Sequence, residues 1–327
     1  MEGKKNLLMT SSPHLHEGSS TSRIMWTVTA CLVPAGAWGV YNFGLTSLWI
    51  ILVSVGAAVL TEWVITKLLK KEQSISDGSA VLTGLLVSFN MPPSIPAFIP
   101  ILASVFAIGI VKHTFGGLGR NWMNPALAGR VFAMFSWTGE MTTWSAPVIG
   151  AGADAFTGAT PLAQGASEFL SKQSYWDLFI GNISGCIGEV SALLLLLGAA
   201  YLFIRKIITW QIPLSYAASF LLLVWIFGGT VSGSGYFTGD ILFHFLAGGL
   251  VLGAFFMATD MVTSPLTSKG MIIYGIGCGL LTFLIRIYGG FPEGVSLGII
   301  LMNIFVPLID RFTKPVKFGN VKEVKNV

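Results

Sequence analysis

Apolar residues in this chain come in runs too long and too unbroken for the one-sided stripe of a water-soluble helix. Stretches such as "LWIILVSVGAAVL" and "ALLLLLGAAYLFI" match membrane-buried helices instead. At about 20 apolar residues per crossing, the runs predict helices over 24–43, 44–66, 78–91, 95–111, 124–137, 176–204, 213–228, 240–258, 270–287 and 294–309. Several fall short of a full crossing and many contain Gly or Pro, so broken or half-spanning helices around an internal site are expected. The fold class is an all-α polytopic membrane protein with about ten transmembrane helices.

Composition agrees, because only 10% of the 327 residues are charged against about 25% in soluble domains, and mean hydropathy is +0.74. Little chain remains for a separate catalytic domain. The net charge of +4 does not indicate nucleic acid, since the basic residues sit at the ends of apolar runs rather than on one face. With a cytoplasmic N-terminus, all but Lys172 and Arg286 of the 19 basic residues fall inside, with Lys112, Arg120 and Arg130 sharing one inner segment. Both termini are then cytoplasmic. The organisation is a cytoplasmic segment 1–23, a first five-helix repeat 24–137, an extracytoplasmic loop 138–175, a second repeat 176–309 and a cytoplasmic tail 310–327.

The two halves share landmarks. "DGSAVLTGLLVSFNMPPS" from Asp77 and "FGGLGRN" from Phe115 recur loosely as "DILFHFLAGGLVLGAFFMATDMVTSP" from Asp240 and "YGGFPEG" from Tyr288. Five helices per half, an odd number, invert the second copy, and inverted repeats place a site at their interface near mid-membrane. Cys31, Cys186 and Cys278 lie in apolar stretches without C-x-x-C spacing, so neither a disulfide framework nor a complete iron–sulfur site is expected. The V-T-A-C at Val28–Cys31 has the form of a lipidation site, but too few apolar residues precede it for a signal peptide.

The loop 138–175 carries the chemistry. Within "DAFTGATPLAQGASE" the spacing D-x-x-[ST]-G-A-T is met by Asp154, Thr157, Gly158, Ala159 and Thr160, in a soft stretch without bulky side chains to block a hydroxyl. That pattern resembles the flavinylation motif whose last threonine a dedicated flavin transferase joins to the phosphate of FMN, so Thr160 is the implied acceptor. The alternative is a plain soluble loop. "SSPHLH", "STSRIM", "DGSAVLTGLL", "KHTFGGLGRNWMNPALAGR", "FFMATDMVTSP" and "LMNIFVPLIDRFTKP" extend the resemblance over essentially the whole chain. They are similar to the D subunits of Rnf-type ion-translocating ferredoxin:NAD oxidoreductases, which are homologous to the longer B subunit of the sodium-pumping NADH:quinone reductase. One departure is Met261, where relatives often have proline after "ATD".

The resemblance implies a subunit of a translocase in the prokaryotic inner membrane, not active alone, that passes electrons through covalent FMN while the whole complex moves Na+ or H+. It also implies further membrane and peripheral Rnf subunits as partners, and a second, non-covalent flavin, riboflavin, whose site no residue pattern marks. Trp137, Trp144, Tyr175 and Trp176 rim the loop and offer either stacking surfaces for the flavin ring or an ordinary interfacial belt.

Other residues leave two readings open. Asn124-Pro125-Ala126 copies the box of water channels but has no partner in the second half; a solute channel or carrier of inverted-repeat design is the stronger rival function. "FGGLGR" lacks the strand and lysine of a phosphate loop, which favours close helix packing. Glu189 would lie about 20 Å down a continuous helix 176–204, either on an ion pathway or as a glutamate locking two helices together. Glu62, Asp77 and Asp260 are expected near the cytoplasmic rim in hydrated end-of-helix roles. His113 and His244 lack neighbours of ligand type, and no metal site is assigned in the chain.

Overall fold

The computed structural model describes residues 20–70, 74–147, 158–231, 233, 235–290 and 293–314, which are almost wholly helical. The first half contains α1 (Thr21–Phe43), α2 (Leu45–Leu68), α3 (Ser79–Phe89), α4 (Phe98–Val105) running on as a π-helix through Phe106–Lys112, and α5 (Pro125–Ser136). Short pieces follow in the predicted loop: α6 (Thr138–Met141), α7 (Pro161–Gln164) and α8 (Ala166–Lys172). The second half contains α9 (Tyr175–Ile180), α10 (Ala192–Ile204), α11 (Gln211–Val231), α12 (Ile241–Leu246), α13 (Leu250–Leu252) with a π-helical continuation Gly253–Met257, α14 (Ser268–Tyr288) and α15 (Val295–Thr313).

Among the described residues, α1, α2, α11, α14 and α15 are long and apolar enough to cross a membrane. Their burial pattern is that of a membrane protein rather than a soluble one. On α2 the exposed positions are large and apolar, with Trp49, Leu52, Leu60 and Leu68 all more than half exposed. The buried face carries Ser47, Ser54, Ala58, Thr61, Glu62 and Thr66. Small and hydroxylated residues pack between helices while oily ones face outward, which is stable only where the surroundings are hydrocarbon. The protein is therefore a polytopic membrane protein. α2 packs on α3 and α4, α11 runs along α14, α14 pairs with α15, and α15 reaches back to α5.

Two predicted spans are not continuous. The span expected over 176–204 stops at Ile180, and residues 181–191 are irregular until α10 begins. That stretch, "GNISGCIGEVS", has Gly at 181, 185 and 188, each unfavourable in a helix interior by roughly 1 kcal/mol relative to Ala. The backbone groups released by the break find other partners. The N–H groups of Ile187 and Gly188 donate to the carbonyls of Met91 and Phe89 at 3.1 Å each, and the Asn42 amide donates to Gly181 C=O. Such replacement is obligatory where no water is available. The span expected over 240–258 likewise ends at Leu246 and resumes at Leu250, across Ala247-Gly248-Gly249.

Candidate functional site

The site is built on the start of α5. The Asn124 side-chain oxygen accepts from the N–H of Ala126 at 3.0 Å and of Leu127 at 3.3 Å. Pro125 sits where no helical donor is needed. The Asn124 amide donates to Met257 C=O at 3.1 Å, which ties α5 to the broken segment of the second half. The box that copies a water channel is thus a helix cap whose donors and acceptors are already engaged.

Arg130 follows on α5, about 9 Å along the axis from Asn124 at 1.5 Å per residue, and is 4% exposed. Its Nη1 donates to Asn90 Oδ1 and Ser296 Oγ, both at 2.8 Å, and to Glu189 Oε1 at 3.2 Å. Its Nη2 forms an ion pair with Glu293 and lies 3.9 Å from Cys186 Sγ. Four separate segments meet here: α5, the end of α3, the break before α10 and the start of α15. One guanidinium faces two carboxylates.

Glu189 is therefore not on a helix, as the continuous span required, but in the irregular stretch 181–191, 7% exposed. Gly249, in the other break, lies against it. A Cβ at Gly249 would approach Glu189 Cδ to 2.7 Å, so a residue without a side chain is needed for the carboxylate to reach Arg130. Cys186, Glu189 and Glu293 bring a sulfur and two carboxylates within 4.8 Å of one another, a grouping that resembles metal ligands. Arg130 already supplies positive charge to it.

A second buried arginine supports the same region. Arg286 on α14 donates from Nη1 to the carbonyls of His244 at 2.9 Å and Ala247 at 3.3 Å, the freed C-terminal end of α12. Its Nε donates to Glu293 C=O at 3.2 Å, and its guanidinium lies 4.9 Å from the Phe220 ring centroid. Arg286 thus closes one helix break and fixes the backbone of Glu293.

A cleft of about 530 Å³ opens beside this cluster. Arg130, Thr142, Thr143, Glu293 and Ser296 bring polar groups to its lining, and Met134, Met141, Trp144 and Leu297 apolar ones. Gly158, Ala159 and Ala163 complete it from the loop. From Gly158 onward the loop is seated rather than soft. The Gly158 N–H donates to Trp144 C=O at 3.0 Å, and a Cβ there would meet Ser184 Oγ at 2.5 Å, so a larger residue requires the serine hydroxyl to turn away. Thr160 is 7% exposed, and its hydroxyl accepts from the Ala163 N–H at 3.3 Å, capping α7. Asp154 and Thr157 lie outside the described residues, as do Lys4, Lys5, Lys71 and the tail beyond Lys314.

The rim aromatics separate. Trp144 alone of the four lines the cleft. Trp137 packs edge-on against Phe98 and Phe132, and Trp176 is 64% exposed beside Phe179. The Tyr175 hydroxyl donates to Asp240 at 2.5 Å, a bond that with burial raises its pKa to about 12. Asp240 also caps α12.

At the opposite end of α5 the acidic residues divide. Asp77 accepts from the N–H and hydroxyl of Ser79, and Asp260 from Thr263 Oγ1 at 2.9 Å, both ordinary turn and helix-end roles. Glu62 departs from expectation. It is fully buried and paired with Lys112 at 2.5 Å, while Lys112 also donates to Ser79 Oγ at 2.6 Å and Ser74 to the other Glu62 oxygen. "FGGLGR" is a turn folded back on the end of the π-helix through Gly117 N–H to Lys112 C=O, rather than a helix-packing surface.

Sequence reasoning misses Arg130, Glu293, Arg286 and Asn90 as site residues. By position along the chain Arg130 and Lys112 pass for topology signals, and Arg286 for one of two exceptions, although all three are buried. The available signal is an arginine inside each of two apolar helices, a placement that is costly unless the charge faces the protein interior.

The sequence profile of the NQR2, RnfD, RnfE family matches residues 8–319. The chain is 50% identical over 326 residues to the D subunit of the proton-translocating ferredoxin:NAD(+) oxidoreductase complex of Clostridium ljungdahlii, covering 97% of each. It is 49% identical over 320 residues to the Na(+)-translocating counterpart of Acetobacterium woodii, covering 97% of this chain and 96% of that protein. It is also 38% identical over 334 residues to the D subunit of an ion-translocating oxidoreductase complex of Stutzerimonas stutzeri, covering 92% and 93%. With nearly its whole length matched by the family profile and by D subunits from three genera, the chain belongs to the NQR2, RnfD, RnfE family.

Proposed function

We propose that this chain is a membrane electron-transfer subunit carrying FMN covalently on Thr160, in an Rnf-type complex that couples electron flow between ferredoxin and NAD to translocation of Na+ or H+. The carrying observation is the motif Asp154-x-x-Thr157-Gly158-Ala159-Thr160, with Gly158 and Ala159 forming one wall of the cleft. The surroundings suit the group. The cleft lies within the roughly 300–1,000 Å³ of ligand pockets, and its mostly apolar lining includes a few polar residues, Arg130, Glu293 and Ser296 among them. Bound FMN supplies redox chemistry, and the protein supplies attachment, orientation and electrostatics.

In this reading the chain crosses the inner membrane ten times as two inverted five-helix repeats, with termini cytoplasmic and the loop extracytoplasmic. The breaks at 181–191 and 247–249 agree with the broken helices that such transport folds place around a site. A flavin transferase matures it, the other Rnf subunits are its partners, and a non-covalent riboflavin is a second cofactor. The two relatives at 50% and 49% identity are named for different ions, so overall similarity does not select between H+ and Na+. Glu189 remains the ion-pathway candidate.

The test is co-expression with a flavin transferase, followed by mass spectrometry of the peptide 138–172 and in-gel flavin fluorescence after denaturation. An FMN adduct on Thr160 is expected, with fluorescence lost in Thr160→Ala while the polypeptide remains present. Fluorescence that persists in Thr160→Ala refutes the attachment site. An unmodified wild-type peptide after co-expression refutes the redox reading.

A further inference from the structure

We propose that the groove between α1 and α10 binds one phospholipid with an anionic head group, its phosphate held by Arg23, Arg205 and Lys206 and an acyl chain laid along the apolar trough below them. The groove shares no lining residue with the cleft beside Thr160. Lipid binding there holds whether or not Thr160 carries a flavin.

Depth is the first argument. Each helix turns one stripe toward the groove at helical spacing, Arg23, Trp26, Ala30 and Pro34 on α1 and Leu194, Leu197 and Tyr201 on α10. Gly198 brings the two together at the floor, where a Cβ would come within 2.8 Å of Cys31 C=O. The trough holds about 620 Å³. From Arg23 to Pro34 it runs about 16 Å along α1 at 1.5 Å per residue, and one leaflet is about half of a hydrocarbon core roughly 30 Å thick. The groove therefore reaches through one leaflet. It goes no deeper because α10, its second wall, begins only at Ala192, after the irregular stretch 181–191. A partner's transmembrane helix needs a seat through both leaflets, whereas a phospholipid needs one.

The order of polarity along the groove is the second argument. The deep end is lined by Ala30, Pro34, Leu194 and Leu197. Nearer the bilayer face stand Trp26 and Tyr201, both about half exposed and of the types that sit at head-group level. Trp26 is held there by its Nε1, which donates to Ser76 C=O at 3.3 Å. Beyond the aromatics come the cations. Arg23 lies in the first turn of α1, and Arg205 extends the α10 stripe four residues past Tyr201, to whose carbonyl its N–H donates at 3.0 Å. Lys206 follows, and Ile207 and Ile208 line a cavity together with Ile24 and Met25, which places this turn beside the start of α1.

No Asp or Glu lines the groove, and among the described residues neither Arg205 nor Lys206 pairs with a carboxylate. Cation, aromatic and alkane thus follow one another as phosphate, glycerol backbone and acyl chain do in a phospholipid. Basic residues between helices at one bilayer face select anionic heads. A zwitterionic head would bring its own cation toward three others.

The test titrates the purified full chain in detergent with dioleoylphosphatidylglycerol and, separately, with dioleoylphosphatidylcholine, which has the same chains, and counts bound lipid by native mass spectrometry. Phosphatidylglycerol is expected to bind at least about tenfold more tightly. Each basic residue at the surface is worth about fivefold in affinity for an anionic lipid, so Arg205→Gln/Lys206→Gln weakens phosphatidylglycerol roughly 25-fold and removes the preference. Ala30→Trp, at an exposed position, fills the trough and weakens both lipids. Lys67→Gln, at the same bilayer face in the last turn of α2 but outside the groove, changes phosphatidylglycerol binding by less than about twofold.

Equal affinity for the two lipids overturns the proposal, as does a preference that survives in both Arg205→Gln/Lys206→Gln and Ala30→Trp. The rival occupant is tested in the assembled complex by photo-crosslinking from Leu197→p-benzoylphenylalanine, an exposed position on the groove wall. An adduct with the mass of a phospholipid is expected. A crosslink to another subunit assigns the groove to a protein partner and overturns the lipid site.

Discussion

Glu62 and Lys112 make the sharpest test of how charge is handled at the end of the molecule opposite the cleft. The side chains of Glu62 and Lys112 are 0% and 2% exposed, and their charged atoms lie 2.5 Å apart. Glu62→Gln leaves Lys112 as an uncompensated buried ammonium with only neutral acceptors, Ser79 Oγ at 2.6 Å and the new amide oxygen. Breaking a buried pair on one side costs about 3–5 kcal/mol, whereas replacing both partners with residues of similar volume is often neutral. Glu62→Gln is therefore expected to destabilise by about 3–5 kcal/mol, softened toward the lower figure by Ser79. The double variant Glu62→Gln/Lys112→Met should recover most of that loss. The assay is reversible unfolding of the purified protein in mixed micelles with rising SDS, arranged as a double-mutant cycle. Were Glu62 hydrated at the membrane rim, as sequence alone suggests, its pairing with Lys112 would be worth only about 0–1 kcal/mol. A Glu62→Gln loss under about 1 kcal/mol, or a double variant that shows the sum of the single losses, refutes the buried pair.

Three further outcomes follow from the site. Gly249→Ala forces a Cβ against Glu189 and is expected to destabilise by about 1–3 kcal/mol in the same unfolding assay, with a smaller loss in a Glu189→Asp background whose shorter chain vacates the space. Asn124→Ala removes both the α5 cap and the donor to Met257 C=O, for a combined loss of roughly 2–4 kcal/mol; a loss no greater than that of an exposed cap shows that the tie between the halves contributes nothing. Tyr175 has its folded pKa raised from 10.0 to about 12, so its bond to Asp240 stabilises fully below pH 10 and is lost as pH rises through about 12. Tyrosinate absorbance should lose a component titrating near pH 12 in Tyr175→Phe, while the fully buried Tyr216 and Tyr274 stay silent over that range in both proteins.

The helices are legible because hydrocarbon imposes a simple rule, that a span must be long and apolar. The ends of α2, α11, α14 and α15 fall within a few residues of their expected positions. The two breaks are harder to see because apolar residues continue through them; only Gly181, Gly185 and Gly188 in one, and Gly248 and Gly249 in the other, mark the interruption. The burial of Glu62 escapes sequence reasoning because its partner Lys112 is 50 residues away and belongs to a π-helical stretch whose register sequence does not reveal. The cleft is unreadable for a similar reason. Its Arg130, Trp144, Ala159 and Glu293 come from four distant parts of the chain, and no local pattern couples them.

The breaks and the buried charges explain one another. A continuous helix over 176–204 would satisfy its own backbone and could not bend Glu189 and Cys186 toward α5. Interrupting it frees N–H groups, which Phe89 and Met91 accept, and this places residue 189 beside Arg130. The second interruption frees carbonyls at His244 and Ala247, which Arg286 takes, and Arg286 in turn holds the Glu293 backbone where its carboxylate reaches Arg130. Gly249 leaves room for Glu189 at the same point. Several lost helical bonds are thus exchanged for ones that cross between elements, in surroundings where an unsatisfied group costs several kcal/mol. The lining of the cleft is therefore held by hydrogen bonds to backbone groups of both halves, a rigidity that fixes the electrostatic surroundings of Arg130, Glu189 and Glu293 in advance.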